Sequence, residues 1–194
     1  MNFFDTNSYF IDEKVNMLKF ENEYKVFNEH GAQIGSVKQK LDGGGKALRL
    51  FLSKSMLPFH LEIKDANEVL QASISRGWTF WLPKISIKDS NAMQIAIVEQ
   101  KLAFMKPTFN IFNNNHILIG VITGDWKAWN FTMFDANKNQ IGIVTKKWAG
   151  VAKEFFTTAD KYNVSLTTDL AKPEDKIAIL ASAITIDMVL KESK

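Results

Sequence analysis

Residues 131–144 read FTMFDANKNQIGIV. Apolar and polar residues alternate on either side of a DAN centre, the period-two pattern of half-buried strands joined by a tight turn. Asp135 opens the turn, because Asp and Asn tolerate left-handed backbone and hydrogen-bond to their own turn. Met133 stands two residues before it, Asn137 two after, Gly142 seven after and Val144 nine after.

The same spacing occurs four times upstream, in YKVFNEHGAQIGSV (24–37), LEIKDANEVLQASI (61–74), ISIKDSNAMQIAIV (85–98) and FNIFNNNHILIGVI (109–122). The turn openers there are Asn28, Asp65, Asp89 and Asn113. Val26, Ile63, Ile87 and Ile111 stand two residues before them. Seven residues after comes a small residue (Gly35, Ala72, Ala96, Gly120), and nine after a branched aliphatic one (Val37, Ile74, Val98, Ile122). A recurring small residue leaves room where a strand crosses something bulky, such as a helix lying against the sheet. Five hairpins supply ten strands, and SYFIDEKVNML (8–18) and ALRLFLS (47–53) are the further candidates, about twelve in all. Many short strands with turn signals predict an all-β antiparallel sandwich or barrel, and closure removes exposed edges.

The strands are followed by KPEDKIAILASAITIDMVLKESK, residues 172–194. Pro173, Glu174 and Asp175 suit a helix start, by fixed backbone angle and by charge. From Ile177 to Leu190 the segment is apolar all round except for Asp187. As a helix it rises only about 21 Å, short of the roughly 30 Å of a hydrocarbon core, so a buried helix is predicted. Ala178, Ala181, Ser182 and Ala183 keep it narrow. A narrow helix and strands with a periodic small residue fit one picture: a barrel over about 9–148, wrapped around a central helix over about 174–190, in a single domain spanning 1–194. Asp187, near the helix end, is expected to reach water or a lysine at the barrel mouth, since a lone buried carboxylate is costly.

The chain of 194 residues is 46% hydrophobic, enough for a sizeable core, and its net charge of +3 carries no nucleic-acid signature. With no cysteine, disulfides, thiolate catalysis, cysteine zinc sites and palmitoylation are excluded. The start, MNFFDTNSYFIDEK, lacks the basic and apolar blocks of a signal peptide, and a cytoplasmic location is the expectation.

The run IGIVTKKWAGVAKEFFTTADKYNVSLTTDL (141–170), followed by an apolar helix containing ITIDMVL (184–190), resembles the C-terminal part of phospholipid scramblases. YFIDEKVNMLKFENEYKVFNEHGAQIG (9–35), PFHLEIKDANEVL (58–70) and PKISIKDSNAMQIAIV (83–98) resemble the family's earlier strands. The wider group includes the plant LURP-one-related proteins and the tubby C-terminal domain. The resemblance implies a twelve-stranded closed barrel around a C-terminal helix. The proline-rich extension and cysteine-rich palmitoylated patch of animal scramblases are not found in this sequence. The family's calcium loop opens with an Asp where Thr158 stands; its second acidic position matches Asp160, its last Asp169, and its turn glycine Asn163. Calcium wants six to eight oxygens with several carboxylates, so Thr158, Asp160 and Asp169 make at best a weak site. No cofactor is expected.

Other motifs are weaker. LDGGGKALRL (41–50) fails as a phosphate loop: the pattern needs Gly where Lys40 stands and Ser or Thr where Ala47 stands. Lys38, Lys40, Lys46, Arg49 and Lys54 surround these glycines with one acid, Asp42, among them; such a cluster suits anionic lipid headgroups, though most basic runs are solvated faces. Trp78, Trp81, Trp126, Trp129 and Trp148 fall between repeats, where they suit a membrane interface or, more commonly, cover barrel ends. His30, His60 and His116 lack metal-ligand spacing with an acid, leaving metal-enzyme and hydrolase readings without support.

The sequence therefore points to a monomeric, lipid-binding or membrane-associated relative of the scramblases, cytoplasmic or peripheral at the membrane, with anionic phospholipids as partner and no nucleic acid. The alternative is a soluble interaction or scaffold module of the same fold. An enzyme ranks last, for want of a nucleophile and base.

Overall fold

The computed structural model describes residues 3–14, 23–40, 58–78, 84–101, 106–125, 127–146, 161–186 and 189–190. A single 3-10 turn, Phe3–Asp5, precedes strand β1 (Ser8–Lys14). Five hairpins follow: β2 (Glu23–Phe27) with β3 (Gln33–Lys40), β4 (Phe59–Asp65) with β5 (Leu70–Arg76), β6 (Lys84–Asp89) with β7 (Gln94–Lys101), β8 (Thr108–Asn113) with β9 (Leu118–Asp125), and β10 (Asn130–Asp135) with β11 (Gln140–Thr145). Strand β12 (Lys161–Leu166) and helix α1 (Pro173–Ile184) complete the elements. Every neighbouring pair is antiparallel, and β1 pairs with both β2 and β12, so the twelve strands form a closed barrel around the C-terminal helix, as the repeat predicts.

One strand of the ring is not among those the pattern marked. The candidate at 47–53 lies outside the described residues, and β12 is the strand that closes the ring. It falls beyond residue 148, where the repeat pattern ends the barrel. It was hidden by its polar flanks, yet Tyr162, Val164 and Leu166 alternate inward as a strand requires. Asn163 is buried as well, its amide donating to Ser8 Oγ at 3.2 Å and to the Tyr9 carbonyl at 3.3 Å across the seam with β1.

The five turns are copies of one device. In each, the side-chain oxygen of the opening Asn or Asp accepts the backbone N–H groups two and four residues on. Asp135 takes those of Asn137 and Asn139 at 2.8 Å, and Asn28 takes those of His30 and Ala32 at 3.0 Å. The residue three after the opener is left-handed every time: Gly31, Glu68, Ala92, His116 and Lys138, with φ from 57° to 76°. This is the three-residue hairpin loop, a type I turn closed by a left-handed residue. A register shift then follows in every hairpin, just before the small residue of the repeat. The bulge bends each strand into the ring.

The small residues face inward. A Cβ on Gly120 would come within 2.9 Å of Ile179 Cδ1 on α1, so here the absence of a side chain lets the helix approach the wall. Around α1, Ala178, Ile179, Leu180, Ala181, Ala183 and Ile184 are all buried, covering every direction of the helix. It touches β5 to β9, β12 and the N-terminal 3-10 turn. The hydroxyls it carries inside are satisfied by its own backbone: Ser182 donates to the Ala178 carbonyl at 2.8 Å and Thr185 to that of Ala181 at 2.7 Å. Tyr162 of β12 donates to the Ile184 carbonyl at the helix C-terminus. Beyond the helix as assigned, the Val189 N–H reaches the Thr185 carbonyl at 3.0 Å. Asp187 lies outside the described residues. No described helix is long and apolar enough to cross a membrane.

Candidate functional site

The outer face of β2, β3 and β4 carries the two described members of the basic cluster. Alternation sends Val37 and Gln39 inward, which turns Lys38 and Lys40 outward. Opposite them in the antiparallel register lie Glu23 on β2 and Glu62 and His60 on β4. Cross-strand neighbours on one face are close enough to pair, and here they do. Lys38 Nζ lies 2.8 Å from both carboxylate oxygens of Glu68 and 3.9 Å from Glu23. Lys40 Nζ lies 2.5 Å from Glu62, which also holds Lys64 at 3.4 Å; Lys64 in turn lies 3.9 Å from Glu68. His60 Nε2 stands 3.6 Å from Glu62, while its Nδ1 meets Ser75 Oγ at 2.7 Å.

Three lysines thus share three glutamates, and the network is neutral when His60 is uncharged. The hydrogen bond Lys38 donates to Glu68 outweighs desolvation and raises the ammonium above the usual lysine value. Burial pushes the Glu62 carboxyl up, but Lys40 and Lys64 together hold it below the usual value. Glu68 is held down by Lys38. An anionic headgroup must compete with these carboxylates for Lys38. Lys40 differs: its side chain is 60% exposed, so its ammonium can meet a second anion while remaining beside Glu62. The sequence showed the cations but not their partners, because Glu23, Glu62 and Glu68 become neighbours only through strand register. Lys46, Arg49 and Lys54 lie outside the described residues.

The calcium candidates are divided by a strand. Asp169 follows β12, and its Oδ1 accepts the Asn7 amide at 3.1 Å. Thr158 and Asp160 precede Lys161 and lie outside the described residues. β12 runs about 17 Å of extended chain from Lys161 to Leu166. Among the described residues no group of three His, Cys, Asp or Glu side chains could hold a metal ion.

Of the tryptophans, Trp78 is 51% exposed after β5. Trp129 is half-buried, stacked on Tyr162 with centroids 5.5 Å apart, and Lys146 Nζ sits 4.8 Å from its ring centre. Trp81, Trp126 and Trp148 lie outside the described residues.

Neither the curated proteins nor the solved structures contain a match to this chain. A family model does match, and over nearly the whole length: with residues 11–193 fitted by the model described as Scramblase, from within β1 to beyond the enclosed helix, the chain belongs to the scramblase family.

Proposed function

We propose that this protein works at lipid membranes as a peripheral, scramblase-like protein that associates with anionic headgroups. What supports the reading is the family match over residues 11–193, on a barrel that keeps its apolar helix as core. A helix consumed in this way leaves attachment to surface contacts. Headgroup contact falls to Lys40, Lys46, Arg49 and Lys54, with Lys38 the weakest contributor because Glu68 holds it. Association is proposed to be independent of calcium and to involve no catalysis, in a cytoplasmic monomer.

Each basic residue close to an anionic leaflet contributes on the order of 1 kcal/mol, and the attraction is screened beyond a Debye length. Co-sedimentation should therefore show more binding to anionic than to neutral liposomes, weakening as salt rises. Lys46→Glu with Arg49→Glu should flatten that salt dependence, and calcium or a chelator should leave it unchanged. Binding with no preference for anionic lipid would remove the headgroup reading. The ion pairing of Lys38 and Lys40 favours a second reading, a soluble interaction module, which an absence of liposome binding at every salt concentration would support.

A further inference from the structure

The fifth residue of the repeated turn, four after the opener, closes the loop, its carbonyl accepting the opener's N–H at 2.9–3.0 Å. In the three consecutive hairpins β4–β5, β6–β7 and β8–β9 this residue is Val69, Met93 or Ile117. They are 55%, 61% and 58% exposed, unlike the aliphatic residues packed inside the barrel. In the flanking hairpins the same position is Ala32 or Asn139, so the row begins and ends abruptly. Because the barrel is antiparallel throughout, all hairpin tips lie at one end. Successive hairpins are two strands apart, which spaces the three side chains by about 10 Å along the rim.

We propose that this rim enters the interface of a lipid bilayer, with Val69, Met93 and Ile117 reaching the boundary between headgroups and acyl chains. The inference rests on the membrane reading above and gives it a second point of attachment, since Lys40 ends β3 at the opposite rim. Two observations favour a bilayer over a protein. First, a standard protein interface takes about 800 Å² from each partner, and three partly exposed aliphatic side chains fall well below that. A shallow insertion needs only a few apolar side chains at a common height, which identical turns on one rim provide. Second, few charges stand between them. Ala66, Asn67, Ser90, Asn91, Asn114 and Asn115 are uncharged. The Asp65 and Asp89 carboxylates are occupied by turn N–H groups at 2.9 Å. Glu68 is bound by Lys38, so it approaches a leaflet neutralised.

The test uses vesicles of neutral lipid and of neutral lipid with anionic lipid. Val69→Ser, Met93→Ser and Ile117→Ser together should weaken binding to neutral vesicles by at least about tenfold, while the salt-dependent extra binding to anionic vesicles, assigned to the opposite end, keeps the parent's slope. As the chain has no cysteine, Met93→Cys accepts a single polarity-sensitive dye. Its emission should shift to the blue on addition of neutral vesicles, and the same dye at Lys101→Cys, at the opposite end, should not shift. A parent that does not bind neutral vesicles overturns the proposal, as do a triple variant that melts and binds them like the parent and an unshifted dye at Met93 on protein bound to them. So does an oligomer in the parent that the triple variant dissolves, which would make the row a protein contact. Failure of the headgroup reading looks different: binding that ignores anionic lipid and salt yet is lost in the triple variant.

Discussion

At one end of this barrel five connections share one geometry, down to the same two hydrogen bonds and the same left-handed residue. At the other end, residues 15–22, 41–58, 77–83, 102–107, 126–129 and 146–160 join the strands with no common length or motif. The difference separates two kinds of information. The regular end is written in local chemistry, where one Asn or Asp dictates the next four residues. The connections of the irregular end hold Gly43, Gly44 and Gly45, most of the basic cluster and all five tryptophans, whose meaning depends on what they meet. Loops held on a rigid scaffold are the usual place for such residues.

The contrast breaks completely if the shared core is removed. Deleting residues 174–194 takes out α1, on which both ends depend, and should abolish cooperative unfolding and leave an aggregating chain. Circular dichroism and thermal melting check this; a soluble truncated protein with a sharp transition would mean that the barrel stands without its helix.

Next come the glycines behind the regular turns. A Cβ at Gly142 would run into the Ser165 carbonyl, which is backbone and cannot rotate away, whereas at Gly120 it meets the end of the Ile179 side chain. Overpacking of this kind costs about 1–3 kcal/mol, so Gly142→Ala should fall at the upper end and Gly120→Ala at the lower in urea denaturation. Equal costs would imply that the wall is softer than the helix.

The turns themselves come third. Asn113→Ala removes an oxygen that accepts the Asn115 and Ile117 N–H groups at 3.0 Å, and should cost about 1 kcal/mol. Ala92→Gly should do the opposite, because a non-glycine residue with φ of 62° carries a strain of roughly 1 kcal/mol. A midpoint shift in the same direction for both variants would contradict the turn mechanism.

The smallest effect belongs to the ion-paired flank. Glu62 titrates below the ordinary 4.5 in the folded protein. Its contribution is therefore present above that value and is lost as pH falls through the lower, folded one. Glu62→Gln should lower stability near neutral pH by no more than about 1 kcal/mol and flatten the acid limb of the stability profile. An unchanged acid limb would assign the pH dependence to other carboxylates.

The barrel and its plugging helix were legible in the sequence because period, turn openers and small residues all act within fourteen consecutive residues. The left-handed position was less visible: only Gly31 advertises it, while Glu68, Ala92, His116 and Lys138 occupy it through tertiary demand. β12 was obscured because its pattern is short and its neighbours are polar. The candidate site was legible as a set of cations but not as a balance of charge, since Lys38 and Glu68 lie thirty residues apart and meet only through the register of three strands.

The order of elements also constrains how the molecule can assemble. Each hairpin forms from near neighbours, so ten of the twelve strands can pair early and quickly. The seam between β1 and β12 joins Ser8 to Ser165 and Asp12 to Lys161, the most distant contacts in the ring. The helix that fills the ring follows every strand in the chain. During synthesis an open, curled sheet must therefore wait, with its apolar lining uncovered, until α1 leaves the ribosome. Closure of the seam is then expected to be the slow step, with the uncovered lining most open to aggregation in the interval before it.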